Sequence, residues 1–441
     1  MTTQQTTLQT LVQDVLQSIV TQGATAAEVA VDTNKGFSVT AREGDVETVE
    51  YNQDKSMELT VFFDKRTGSA SLSDFSKEAI DAAIHAACHI AKFTDNDPMS
   101  GLAEKEMLAF HYPTLDLSHP WALSVEEAMA LAVQCEQIAK THDKRILCAE
   151  SVGVATTQGM HVYGNSQGFI GGFPYTRHDM SCVLVAKAGE ERQRDYYYTV
   201  ATHPENLESV ETVARLAAER TVRRLGARAL PTTKAPVLFI AEEARGLLGH
   251  FLSAISGGAL YRKASFLQNH LGKQIFPSFM HLSERPHLSR ALGSAPFDSD
   301  GVATRPNVFI DQGILQSYML DVYTGRQLGM QTTGNAGGAH NVTPTMSDKN
   351  LPALLKEMQR GLLVTEIMGN GVNLVTGDYS RGIGGFWVEH GEIQFPVQEV
   401  TIAGNLRDMF ANLACIGNDI DRRGNVHTGS ILLAEMTIAG V

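Results

Sequence analysis

The chain has 441 residues, enough for two hydrophobic cores, and its apolar fraction of 43% is ordinary for a soluble globular protein. No run approaches the roughly 18 consecutive apolar residues of a membrane span, and the start, Met1-Thr2-Thr3-Gln4-Gln5, lacks the basic and apolar regions of a secretory signal, so a cytoplasmic location is expected. A formal net charge of −13 repels a phosphate backbone and disfavours generic nucleic-acid binding.

Residues 1–226 read as an α+β unit. Leu8, Leu11, Val12, Val15, Leu16 and Ile19 recur at helical spacing. Alternating runs follow over 28–32, over 37–51 with a break at Gly44, and over 57–72 with a break near Gly68, which predicts an antiparallel meander. A helix over 76–93 has Ser76 as its N-cap and Glu78 in its first turn. Its stripe of Ile80, Ile84, Ala87, Cys88 and Ala91 places Cys88 in the core. Ser124-Val125-Glu126-Glu127 has the spacing of a capping box and opens a helix to about Thr141. Strand-like runs follow at 146–155, 159–163, 181–188 and 192–199, then a helix over 207–225 that meets Gly226. Helix, strands, helix thus occurs twice and suggests a duplicated α/β domain. Arg215, Arg220, Arg223, Arg224 and Arg228, mixed with Glu211 and Glu219, read as solvated helix faces.

The prolines of 227–236 suggest a linker. Beyond it, 237–441 changes character: glycine-punctuated strands dominate, and a sheet-rich, barrel-like domain is expected. Val237-Leu238-Phe239-Ile240 reads as a buried strand running into a helix from Ala241. Glycines are dense over 369–410. There Thr376-Gly377-Asp378-Tyr379-Ser380-Arg381-Gly382 precedes a hairpin made by 385–388 and 393–397, with Gly391 at its turn. Asp378, Ser380 and Arg381 read as a polar turn and as candidate peptide-contacting residues. Arg381 is expected to clamp Asp378, Glu389 or a substrate terminus. The glycine-rich strands would line a groove that holds an extended peptide by main-chain hydrogen bonds.

That block resembles the C-terminal signature of the TldD/PmbA family (PmbA is also called TldE). So do Val49-Glu50-Tyr51-Asn52-Gln53-Asp54, Leu59-Thr60-Val61-Phe62, Gly68-Ser69-Ala70-Ser71, the run from Asp321-Val322-Tyr323 to Gly329, and Thr333-Gly334-Asn335-Ala336. The PmbA branch is the nearer one. In the TldD branch the strand-to-helix position carries H-E-x-x-x-H, with both histidines on zinc, the glutamate as general base and a later cysteine as third ligand. Here the matching residues are Glu242-Glu243-Ala244-Arg245-Gly246-Leu247. Glu242 stands at the first ligand position and Leu247, which has no lone pair, at the second; Glu243 keeps the base position. Around Gly424-Asn425-Val426-His427, where the third ligand would follow, there is no cysteine.

The resemblance therefore implies a degenerate zinc motif, with no catalytic residue and no cofactor in this chain and the zinc in a TldD-type paralogous partner. The pair would degrade unfolded peptides in the cytoplasm, without direct contact to nucleic acid or membrane. The family's older label, modulator of DNA gyrase, would then reflect an indirect effect, and a homodimer of the isolated chain is left open. Two other readings stand beside this one. One is an autonomous metallopeptidase using Glu243 and His250 or His427 with a metal; the other is a peptide-binding or regulatory protein with no enzymatic partner.

The remaining constellations have plainer readings. Cys88, Cys135, Cys148, Cys182 and Cys415 are odd in number and lack C-x-x-C spacing, which suits buried thiols. His85 and His89, four apart on a helix, read as surface or half-buried histidines. His281, Glu284 and His287 read as a polar loop. Ser380 lacks a nucleophile elbow, and no glycine run fits a nucleotide loop.

Overall fold

The protein is described by a computed structural model that covers residues 3–440. Helix α1 (Thr3–Thr21) buries Leu8, Val12, Val15, Leu16 and Ile19. Strands β1 (Ala26–Arg42), β2 (Asp45–Phe63) and β3 (Arg66–Leu72) form the expected antiparallel meander. Its strands are longer than the alternation suggested. Glu43 (φ 57°) and Gly44 (φ 86°) make the first hairpin turn, as the left-handed pair of a tight turn requires. Gly68 is not a break: it lies inside β3, where a methyl group would run into the Ala87 carbonyl of α2 (Lys77–Phe93). Ser76 caps that helix, and Cys88 is buried under it.

The pattern repeats. Helix α3 (Val125–His142) starts with the predicted capping box, Ser124 and Glu127 each satisfying the other's backbone N–H. Strands β4 (Ile146–Asn165), β5 (Ile170–Ala188) and β6 (Glu191–Ala201) follow, then α4 (Val210–Arg223), capped by Ser209. The separate strand runs expected around 155–159 merge into one strand, because Gly159 faces the Tyr175 ring rather than a turn. All six strands form one sheet in the order β3-β2-β1-β4-β5-β6. The two α-β-β-β-α halves meet where β1 and β4 run antiparallel, with Val31 opposite Val162. Each half has its own apolar core beneath its helices.

The second half opens on β7 (Thr233–Phe239), which begins inside the stretch expected to be a linker. Pro236 falls at a register shift with a neighbouring strand, a place where a missing N–H does no harm. Next come α5 (Ala241–Ala254), α6 (Gly257–Tyr261), β8 (Leu282–Glu284), β9 (Asn307–Asp311), β10 (Ile314–Leu315), α7 (Val322–Gln327) and β11 (Val342–Pro344). The chain ends with α8 (Leu351–Met358), β12 (Gly361–Met368), β13 (Asp378–Glu389), β14 (Glu392–Asn405), α9 (Leu406–Ala411), β15 (Leu413–Ile416) and β16 (Ile431–Ala439).

Strands β14, β13, β12, β7 and β16 follow one another, and β14 pairs back onto β16, Ile402 opposite Ile438, so the sheet closes into a barrel. Helix α5 packs into it: Leu247, Leu248 and Phe251 share a core with Val237, Phe239, Leu362, Val364 and Ile431. The alternate residues Leu238, Leu363, Phe386 and Leu432 face outward under α8. The fold is α+β, a duplicated α/β sheet unit followed by a barrel.

The glycines of β13 serve this closure. A methyl at Gly385 would strike the Leu363 carbonyl; at Gly371, in the segment before β13, one would strike the Ser380 carbonyl. Because β13 is hydrogen-bonded to β12 on one side and β14 on the other, it has no free main-chain edge for a peptide. A main-chain contact to a peptide would therefore fall to another strand than β13.

Candidate functional site

Strand β7 delivers the chain directly to α5, whose first turn lies at the boundary between the barrel and the six-stranded sheet. There β6 and α4 of the first unit face the start of α5 and the segments 285–292 and 419–427. They form an open cavity of about 1330 Å³, lined among others by Arg220, Arg223, Glu242, Arg285, Arg422 and His427.

Glu242 is at its wall, held by two arginines. Arg220 grips it bidentately, Nη1 to Oε2 at 2.8 Å and Nη2 to Oε1 at 2.7 Å, and Arg423 Nη2 donates to the same Oε1. Arg423 in turn forks onto Asp421, with Nε to Oδ1 at 3.0 Å and Nη2 to Oδ2 at 3.1 Å, and donates from Nη1 to the Tyr198 carbonyl at 2.8 Å. Arg245 adds a contact to Asp421 at 3.4 Å. The guanidinium of Arg423 stacks 4.4 Å over Tyr198, and that of Arg220 4.7 Å over Tyr197. The side chains are mostly enclosed: Arg220 is 20% exposed, Glu242 12%, Arg423 15% and Asp421 3%. Burial alone would raise the Glu242 carboxyl, but the hydrogen bonds and charge of Arg220 and Arg423 outweigh it and hold it at about 2. Three guanidinium groups thus share two carboxylates, and the excess positive charge opposes a divalent cation.

The other positions of the motif are spent elsewhere. Leu247 is 2% exposed and packs in the barrel core, so no donor atom stands there. Glu243 does not line the cavity. Burial first, and then repulsion from Glu242 and Glu366, push it up to about 7, with Arg245 and Arg381 partly opposing. His250, two turns along α5, packs edge-on against Tyr379 with ring centroids 6.0 Å apart, and burial and the Arg381 charge lower its pKa. His427 lines the cavity instead, bonded to the Gly424 carbonyl at 3.1 Å. Among the described residues, no group of three or more His, Cys, Asp or Glu side chains gathers as a metal site would.

Asp378, Ser380 and Arg381 lie in β13, not in a turn; the turn is at Gly377, with φ 85°. Asp378 accepts from the Thr376 hydroxyl at 2.6 Å and from Asn405 Nδ2 at 3.2 Å. The Ser380 amide donates to the Gly371 carbonyl at 2.7 Å. Arg381 clamps neither Asp378 nor Glu389. Its Nε donates to the Met368 carbonyl at 3.2 Å, and its charge acts on Glu243, His250 and Tyr379.

Glu284, read as part of a polar loop, is buried in β8 and accepts from Asn307, Asn335 and the His340 amide. His281 pairs with Asp311 and His287 with Thr304, so the three do not converge. His85 and His89 are exposed. Cys148 is half-buried, and Cys88, Cys135, Cys182 and Cys415 are buried free thiols.

The arginines of α4 are the residues that sequence reasoning misplaced. Arg220 and Arg224 are not a solvated face; they reach across to Glu242 and to Glu366 and Asp195. The signal was present in their surplus: α4 has Glu211 and Glu219 against Arg215, Arg220 and Arg223, so not every guanidinium group could pair within the helix.

Three family models match this chain in order: PmbA/TldA metallopeptidase domain 1 at residues 27–91, the central domain at 118–225 and the C-terminal domain at 232–440. The metalloprotease PmbA of Escherichia coli is 48% identical over 414 residues, spanning 94% of this chain and 92% of that protein. The chain belongs to the PmbA/TldD metallopeptidase family. In Haemophilus influenzae two relatives occur together. One is a metalloprotease PmbA homolog, 45% identical over 96% of this chain and 94% of its own length; the other is a metalloprotease TldD homolog, 25% identical over 46% of this chain and 45% of its own length. A crystal structure of a putative modulator of DNA gyrase from Bacteroides thetaiotaomicron superposes with a TM-score of 0.92 at 26% identity, covering 98% of each chain. The family is named for metal-dependent proteolysis, and no helix of the described residues is long and apolar enough to cross a membrane.

Proposed function

We propose that this chain is the PmbA-type, non-catalytic subunit of a cytoplasmic zinc metallopeptidase that degrades unfolded peptides, working beside a TldD-type paralogue that holds the metal. The observation that supports this reading is the Arg220–Glu242–Arg423–Asp421 network. It occupies the place where the family's ligands would converge, and it brings positive charge to where a dication would need negative charge and lone pairs. Zinc does not fit these residues: Glu242 has both oxygens bonded to guanidinium groups, and Leu247 offers nothing. In this reading the chain contributes walls and charge to the substrate cavity. Of the three β13 residues, Arg381 carries the charged fork, with its Nε bonded to a backbone carbonyl, and it is proposed as a peptide contact.

The test is reconstitution. The purified chain alone should not cleave an unfolded peptide above background, and adding a TldD-type partner with an intact H-E-x-x-x-H should raise cleavage strongly. Chelator-sensitive turnover by the isolated chain would overturn the assignment.

A further inference from the structure

The cavity has more to say about what enters it. Six arginines line it: Arg220, Arg223, Arg285, Arg290, Arg422 and Arg423. Arg220 and Arg423 are committed to Glu242 and Asp421, and Arg290 reaches Asp116 at 2.6 Å. Arg223, Arg285 and Arg422 form no ion pair among the described residues. None of the acidic lining groups forms an ion pair with these three, although Asp419 and Glu208 are bonded to neutral donors rather than to other cations. Asp419 is tied to the Ser430 amide and hydroxyl, Glu219 to Arg215, and Glu208 accepts from the Tyr197 hydroxyl at 2.9 Å. Arg223 is steadied over the Phe386 ring at 4.9 Å. Arg422 and Arg285 lie close enough to His427 on the cavity wall that, after burial, their charges help to lower its affinity for a proton. In a chain of net charge −13, this cavity's lining sets six arginines against the five carboxylates of Glu208, Glu219, Glu242, Asp419 and Asp421, a local positive excess, with Arg223, Arg285 and Arg422 exposed on its wall.

We infer that this cavity binds the carboxylates of an acidic peptide segment, with Arg223, Arg285 and Arg422 as the groups that receive them. Guanidinium forks match carboxylates bidentately, and three of them spread around a recess suit several acidic groups rather than one. The volume of about 1330 Å³ exceeds the span of roughly 300–1,000 Å³ usual for small-molecule pockets, which favours a length of chain. Leu288, Met346 and Ile393 in the same wall offer apolar surface to what lies between the acidic groups. The choice of a peptide over another polyanion rests on the peptidase-subunit reading; the anion-binding chemistry does not.

The experiment uses the isolated full chain and fluorescein-labelled oligoglutamate, with an oligoserine of equal length as the neutral control, read by fluorescence anisotropy. Oligoglutamate should bind, weaken with added salt, and lose affinity about tenfold or more in the triple variant Arg223→Gln, Arg285→Gln, Arg422→Gln at unchanged melting temperature. Should that variant fail to fold, Arg422→Glu, at an exposed position, should show the loss alone. Equal binding of oligoserine, or undiminished binding by a folded variant, would overturn the proposal. Displacement of oligoglutamate by low inorganic phosphate would overturn the peptide assignment in favour of a phosphate site. Because partner and zinc are absent from this assay, its failure is distinct from failure of the reconstitution test.

Discussion

Replacing Glu242 by Gln removes the one carboxylate that Arg220 and Arg423 share. Both guanidinium groups keep their places, stacked on Tyr197 and Tyr198, but lose their counter-charge in an enclosed site. The cost can be reached in two ways. Stranding one side of a buried ion pair costs about 3–5 kcal/mol, and these side chains, 12–20% exposed, belong at the lower end. Independently, the fall of the carboxyl from 4.5 to about 2 on folding corresponds to about 3 kcal/mol, at about 1.4 kcal/mol per tenfold change in acidity. Urea unfolding of Glu242→Gln at pH 7, followed by tryptophan emission, should show a loss of about 3 kcal/mol. The two tryptophans suit the assay: Trp121 packs on the core of the first sheet and Trp387 in the barrel. The wild-type contribution also has a definite pH window. Since folding depresses this carboxyl, the unfolded chain takes up the proton first. The stabilisation is therefore complete above about pH 4.5 and fades as pH falls toward 2. A Glu242→Gln protein within about 0.5 kcal/mol of wild type, the range of ordinary surface substitutions, would refute the reasoning.

Glu243 should behave in the opposite sense. Folding raises it from 4.5 to about 7, so its stabilisation is complete below pH 4.5 and is lost as pH rises through 7; Glu243→Gln should melt higher than wild type at pH 8 and show little gain at pH 4. Arg381→Ala removes one exposed hydrogen bond to a carbonyl, so thermal melts should shift by less than about 1 kcal/mol while peptide cleavage by the reconstituted complex falls. Normal cleavage by that variant would remove Arg381 from the substrate path. Gly385→Ala drives a methyl into the Leu363 carbonyl at barrel closure and should cost about 1–3 kcal/mol in chemical denaturation, as overpacking does. Ser124→Ala removes half of a capping box and should cost about 1 kcal/mol, measured the same way.

Local rules carried well where the answer was local. Ser76, Ser124 and Gly226 marked helix ends because caps and left-handed residues act within one turn. The stripe of Leu8, Val12, Val15 and Ile19 marked a buried face for the same reason. Glycine was ambiguous: at Gly44 and Gly391 it permits a turn, whereas at Gly68 and Gly385 it admits a neighbouring backbone, and the sequence does not say which neighbour will be near. The departures from the zinc motif were legible, because they are matters of residue type. Leu247 announced a missing donor by its chemistry alone. What took the donor's place was hidden, since Glu242 meets Arg220 from the first unit and Arg423 from near the chain's end, and only closure of the whole fold brings them together. Arg223, Arg285 and Arg422 were hidden in the same way: each lies in a different segment, and a shared cavity is a property of the tertiary structure.

If the chain is the metal-free subunit proposed, its strand-to-helix motif is not a metal centre. The most direct test is the zinc content of the purified full chain, measured by mass spectrometry after incubation with zinc and removal of the loosely bound ion. Far less than one zinc per chain is expected, unchanged in Glu243→Ala. About one tightly held zinc per chain, lost in Glu243→Ala, would contradict it.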